Sequence, residues 1–132
     1  MATINVAQRP LELLGGYQLC AQFDIDFAKN PLKAGDVLVF GLLEKNALIT
    51  GSVVEVLTAG AGTADVGSGA VPVGLFTALD LATPAITRSA GALLDTRNAG
   101  EVSLQLTASA DVDAGTARFY VEYDQTELVE IP

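Results

Sequence analysis

The feature that most constrains this fold is a period of two. From Thr116 to Asp124, Ala117, Phe119, Val121 and Tyr123 alternate with Thr116, Arg118, Tyr120, Glu122 and Asp124. Successive strand side chains point to opposite faces, so such a segment buries one face and wets the other. Leu19 to Phe27 repeats the pattern: Leu19, Ala21, Phe23, Ile25 and Phe27 oppose Cys20, Gln22, Asp24 and Asp26. Glu101 to Thr107 does so again through Val102, Leu104 and Leu106. Ala47 to Thr58 is rich in β-branched residues, and Gly51 within it predicts a bulge or bend. Val37 to Leu43 is a continuous apolar run, suited to a strand covered on both faces. Shorter strands are expected at Thr63 to Val66 and Glu127 to Ile131.

Turn residues separate these segments, at Asn30-Pro31, Ala34-Gly35-Asp36, Ala59 to Gly62, Gly67 to Gly74 and Asp111 to Gly115. Leu75 to Ala82 is the one stretch with helical spacing, through Leu75, Phe76, Leu79 and Ala82, although Leu79 and Leu81 also fit a strand. Residues 84–100 read as loops around a short apolar patch at Ala92-Leu93-Leu94. Seven or so short strands at this spacing, with no βαβ rhythm, predict an all-β fold: an antiparallel β-sandwich or jelly-roll-like barrel.

The 132 residues suffice for one domain. We divide them into an irregular N-terminal arm, residues 1–18, and a single β domain, residues 19–132. In the arm, Ile4, Val6, Leu11, Leu13, Leu14 and Tyr17 follow no clean period, and Pro10 and Gly15-Gly16 interrupt any helix. Two readings stand: an arm that packs on another body, or an ordinary first strand with a loop.

Composition removes several chemistries. There is no His, so His-dependent triads and imidazole metal sites are excluded. Lys and Arg number 7 against 16 Asp and Glu, which opposes sequence-independent nucleic-acid binding. Residues 101–132 hold seven acids against Arg118 alone, while residues 1–35 are neutral. That polarity suits docking by the N-terminal part with acidic strands facing solvent. Cys20 is the sole cysteine and is read as a small buried apolar residue. No secretory leader and no apolar run of membrane-spanning length is found, so no membrane partner is expected.

Individual candidates for chemistry are weak. Asp111-x-Asp113 beside Gly115 resembles a calcium loop, but its twelfth position, Glu122, lies within an expected strand, so a turn is favoured. Asp24 and Asp26 share a strand face, and paired carboxylates perform acid–base work only when one is desolvated. A solvated face is the simpler reading. The glycine pairs at Gly60/Gly62 and Gly67/Gly69 lack the Lys of a phosphate loop and read as turns. Tyr120, with its polar tip, fits an interface or plain packing better than a sugar platform, because there are three Tyr and no Trp. No catalytic residue, cofactor or metal is assigned, and the chain is read as a non-enzyme.

The segments Lys33-Ala34-Gly35-Asp36-Val37-Leu38, Gly51-Ser52-Val53-Val54-Glu55-Val56, Thr63-Ala64-Asp65-Val66-Gly67 and Ala110 to Tyr123 occur in an order that resembles the decoration, or cement, proteins of tailed-bacteriophage capsids and related head-fibre base domains. The resemblance covers residues 19–124. It implies a sandwich or jelly-roll-like fold, a homotrimer, and docking on the capsid exterior across neighbouring major capsid subunits, after synthesis in the host cytoplasm. No distal fibre extension follows Pro132, which favours a compact cement.

The apolar content of 50% exceeds what one small sandwich must bury, which fits surface spent on subunit contacts. On this reading Ile4, Val6, Leu11, Leu13, Leu14 and Tyr17 form the capsid-docking arm, and Tyr120, Arg118 and Glu122 serve self-association. The alternatives are a glycan-binding or fibre-base module on the virion surface and a hydrolase built on Asp24 and Asp26.

Overall fold

A computed structural model describes residues 2–8, 18–43, 47–69, 74–89, 94–95 and 102–125. These contain ten strands: β1 (Thr3–Gln8), β2 (Gln18–Asp26), β3 (Val37–Leu43), β4 (Ala47–Thr58), β5 (Thr63–Ser68), β6 (Phe76–Asp80), β7 (Ile86–Arg88), β8 (Leu94–Asp95), β9 (Val102–Ala108) and β10 (Thr116–Gln125). The first sheet has the order β1-β3-β9-β5-β6. The second has the order β2-β10-β4-β7, with β8 also pairing β4. The chain is an all-β sandwich of two open sheets, and neither closes into a barrel.

The alternating segments form their strands where the period places them. β10 sits in the middle of the second sheet and pairs with β2 over nine consecutive residues without a slip. Its inward residues Ala117, Phe119, Val121 and Tyr123 are all buried. Phe119 stacks on Phe40 at 4.7 Å between ring centroids, and Phe76 meets Phe119 edge-on at 6.4 Å. Phe23 packs edge-on against Phe40 at 5.8 Å. Four rings from four strands thus tie the sheets together.

Three expectations need correction, and local physics explains each. Thr3–Gln8 is not irregular: it forms β1, an edge strand parallel to β3. Ile4 pairs with Leu38, and both Ile4 and Val6 pack against the core. The strand alternative for this stretch therefore holds at residues 3–8, and one parallel pair enters an otherwise antiparallel sandwich.

The helical spacing at Leu75 to Ala82 belongs to a bulged strand. Phe76 pairs with Val66 and Leu79 with Ala64, so three steps on β6 match two on β5. The extra residue makes two inward side chains fall three apart, which mimics a helix period. Ala78 takes the strain at φ 52°, and its N–H donates to Asp65 Oδ1 at 3.0 Å. A left-handed φ costs a β-carbon about 1 kcal/mol that glycine avoids. Ala78→Gly is therefore expected to raise stability by about 0.5–1 kcal/mol despite loosening the unfolded chain, measured as a higher denaturant midpoint.

Cys20 is exposed, not buried. The alternation of β2 puts it on the solvent face with Gln22 and Asp24, and this outweighs the type's preference for burial. Burial of part of the side chain, then the nearby Glu122 carboxylate, raises its thiol pKa, which disfavours the reactive thiolate.

Bulges also explain the apolar run in β3. Val39 pairs with Gln105 and Gly41 with Leu104, so one extra residue lets both Phe40 and Gly41 serve the core. A β-carbon on Gly41 would come within 2.8 Å of the Phe23 ring. The expected irregularity at Gly51 is present as a register shift of β4 against β10. The expected strand at Glu127 to Ile131, and the patch at Ala92-Leu93, lie outside the described residues. Among the described residues, one buried side-chain hydroxyl has no hydrogen bond, that of Ser52. Ser52→Ala removes an unsatisfied polar group and should stabilise the fold by about 1 kcal/mol in equilibrium unfolding.

Candidate interaction surface

The end of the sandwich that holds the β2–β3 and β9–β10 connections is knitted by carboxylates and backbone. Leu32 and Val112 exchange two backbone hydrogen bonds at 2.8 and 2.9 Å. Asp111 Oδ1 accepts from the Ala34 N–H, so the residue that hinted at calcium instead braces a neighbouring turn. Asp36 Oδ2 accepts from the Lys33 N–H, and its Oδ1 accepts from the Ala2 N–H, which fastens the start of β1 to the start of β3. A cleft of about 760 Å³ opens here between Ala2, Lys33, Asp36, Asp111 and Asp113.

The N–H groups of Lys33 and then Ala2 hold the Asp36 carboxyl below its ordinary range. A depressed carboxylate stabilises the fold above its unfolded pKa, and that stability is lost as pH falls through the folded value. Acidification from about pH 5 downward should therefore erode stability. Asp36→Asn should be less stable at neutral pH and show a flatter acid limb, read as melting temperature against pH.

The outer face of the second sheet is where the predicted self-association residues lie. Arg118, Tyr120 and Glu122 alternate along β10 and point outward. Arg118 Nε donates to Asp24 Oδ1 on β2 at 2.8 Å. That bond first, then Tyr120, raises the guanidinium pKa above its already high value. Arg88 Nη1 on β7 reaches Glu122 Oε1 at 3.0 Å. It crosses β4 above Gly51, where a β-carbon would stand 3.5 Å from that nitrogen. The charge pair spans three strands over Gly51, and a β-carbon there would meet it at ordinary van der Waals distance.

The cross-strand rows are regular. Asp24, Arg118, Glu55 and Ile86 form one row; Gln22, Tyr120, Val53 and Arg88 form the next. Sequence reasoning missed Arg88, Ile86, Val53 and Leu57. The alternation Ile86-Thr87-Arg88 after Pro84 is a faint strand signal. Leu57 faces outward in phase with Val53 and Glu55, a phase set by the register shift at Gly51.

Asp24 and Asp26 do not form a catalytic pair. Asp24 is exposed and bonded to Arg118, and Asp26 Oδ1 accepts the Ala28 N–H in the following turn. Gly60 and Gly62 bond Leu81 through their backbone, as turn residues do. Among the arm residues, Ile4 and Val6 face the core, whereas Leu11, Leu13, Leu14 and Tyr17 lie outside the described residues.

The same sandwich occurs in phage particles. The chain is similar to a chain in the capsid of Ralstonia phage GP4, with a TM-score of 0.69 and 19% identity over 96% of this chain and 99% of that one. It is also similar to a chain of the cyanophage Pam1 capsid asymmetric unit, with a TM-score of 0.66 and 17% identity over 87% and 89% of the two chains. At these identities the likeness is one of fold. No protein-family model and no curated protein matches the sequence.

Proposed function

We propose that the chain is a structural component of a tailed-phage virion: a decoration protein that binds the capsid exterior across neighbouring major capsid subunits and stabilises the shell. The observation that carries this reading is the fold match to a chain of the Ralstonia phage GP4 capsid, which spans 99% of that chain. The likeness is therefore to a body of this size and not to one lobe of a larger subunit. The order of strand and turn motifs across residues 19–124 supports the same reading, and with it a homotrimer.

The physics of the surface is compatible. The face of β10 offers paired charges and an aromatic side chain, as interfaces do, and no assembled acid–base pair. The role proposed is mechanical, without catalysis. In the docking arm, Ile4 and Val6 anchor β1 to the sandwich, and Leu11, Leu13, Leu14 and Tyr17 supply shell contact. A cement binds assembled subunits better than separated ones, so it shifts assembly toward the intact shell. Several copies held together multiply weak contacts through effective concentration.

Co-sedimentation tests this. The purified protein is mixed with shells assembled from the major capsid protein of the same genome, and separately with unassembled subunits. Retention on shells alone is expected, and the double variant Leu11→Asp/Leu14→Asp should lose it while keeping its fold. Absence of wild-type retention would overturn the reading.

A further inference from the structure

Sheet edges expose unpaired backbone groups, and folds usually blunt them. Three of the edges here are blunted. β7 has three residues, β6 carries a bulge and the left-handed Ala78, and β1 breaks register between Asn5 and Gln8. β2 is different. It runs nine residues without a slip, holds no Pro or Lys, and pairs among the described residues with β10 alone. Its phase follows from one bond, the Phe27 N–H to the Gly115 carbonyl. Pairs in an antiparallel ladder alternate between exchanging both bonds and none. Ala21, Phe23 and Ile25 therefore bond β10, and the N–H and C=O of Cys20, Gln22 and Asp24 point to the free edge. These three residues are exposed, and their edge groups have no hydrogen bond among the described residues. The Asp24 carboxylate is drawn toward β10 by Arg118, away from that edge.

A second observation concerns the sheet opposite. β2 stacks on β3, where Phe23 meets Phe40 and its ring fills the space over Gly41. β10, the neighbour of β2, reaches toward β6 through Phe119 and Phe76. The free edge of β2 therefore faces the other way, toward the side on which β1 lies beyond β3. β1 projects past β2, and among the described residues no strand of the second sheet lies over it. The consequence is visible in burial. Leu38 of β3 is fully buried, whereas its partner Ile4 on β1, and Val6 beside it, are only half-buried.

We infer that the free edge of β2 is a strand-addition site whose occupant is one extended segment of a different protein, apolar at alternate residues and basic between them. Its backbone pairs with Cys20, Gln22 and Asp24, and its inward apolar side chains cover Ile4 and Val6. Shape decides for a segment over a second folded copy. Joining β2 to β2 of a copy relates the two by a two-fold axis normal to the sheet, so both projecting β1 strands arrive on the same side and meet first. A single strand is one sheet spacing wide, about 4.8 Å, and fits over β1 without that obstruction. Charge agrees, since a chain of net charge −9 repels its like and attracts basic side chains. In the proposed virion role the shell subunit supplies the segment, and the inference rests on that reading for the source alone.

The test is residue-resolved amide hydrogen exchange of the full chain, free, on shells of the same genome's major capsid protein, and with a synthetic peptide alternating valine and lysine. In the free protein the Cys20, Gln22 and Asp24 amides should exchange fast between slow neighbours at Ala21, Phe23 and Ile25. Either probe should slow those three about tenfold or more. Gln22→Pro deletes an edge N–H that β10 does not use, and should weaken shell retention about tenfold, whereas Gln22→Ala keeps that N–H and should bind as the wild type does. Melting temperature controls for folding, and the wild-type exchange pattern decides the matter if the proline variant unfolds. Shells that bind and leave the three amides exchanging freely overturn the inference, as does a folded Gln22→Pro that binds as well as Gln22→Ala. If shells do not bind, the virion role falls and the peptide decides alone: protection of the three amides upholds the edge site, and none overturns it.

Discussion

Phe119→Ala is expected to destabilise the protein by about 3–5 kcal/mol, because it deletes a buried ring and leaves a cavity that rigid sheets cannot close. Phe119 is fully buried on the central strand of the second sheet and touches Phe40 and Phe76 of the first. Removing it opens the contact between sheets, not a peripheral pocket. For a domain of this length the loss corresponds to a fall of roughly 10–20 °C in melting temperature. Phe119→Leu keeps most of the volume and should cost less than half as much. Equal penalties for the two variants would show that the site relaxes and that the ring stack does not hold the sheets together.

The second large effect is at a turn. Gly115 has φ 101° and lies against the backbone of a neighbouring loop: an added β-carbon would stand 2.8 Å from Gly60 Cα and N and 2.9 Å from Ala59 O. Its carbonyl also receives the Phe27 N–H at 3.0 Å, which locks the entry to β10 onto the end of β2. Gly115→Ala should cost about 3 kcal/mol or more, since the strain of a left-handed residue is added to a clash with atoms that cannot rotate away. Gly35 is the matched control. Its φ is 88°, but a β-carbon there meets nothing within 4 Å. Gly35→Ala should cost only about 1 kcal/mol, the strain alone. Denaturant unfolding of the two variants side by side separates conformation from crowding.

What the sequence disclosed depended on whether the period of two was unbroken. β2, β9 and β10 alternate cleanly, and the expected strands overlap the observed ones almost residue for residue. The core was legible for the same reason. Legibility failed at the bulges. The extra residue in β6 gave Phe76 and Leu79 a helical spacing, and the one in β3 made Phe40-Gly41 read as part of a doubly covered run. Bulges are decided by pairing with a distant strand, so no local window contains the cause. Cys20 differs for another reason: the alternation of its own strand decides its exposure over the burial preference of its residue type.

The candidate surface was half legible. Arg118, Tyr120 and Glu122 follow from the phase of β10. Their neighbours Glu55, Ile86 and Arg88 come from β4 and β7, which adjoin β10 only through sheet order. Sheet order is a property of long-range pairing, which composition and spacing do not carry.

The most direct test of the proposed role is the thermal disassembly midpoint of shells with and without saturating protein. At a concentration about a hundredfold above its dissociation constant, each occupied site should stabilise the assembled state by about 2–3 kcal/mol. A midpoint that rises and saturates as the sites fill is the predicted result. An unchanged midpoint on fully decorated shells would contradict a cement role.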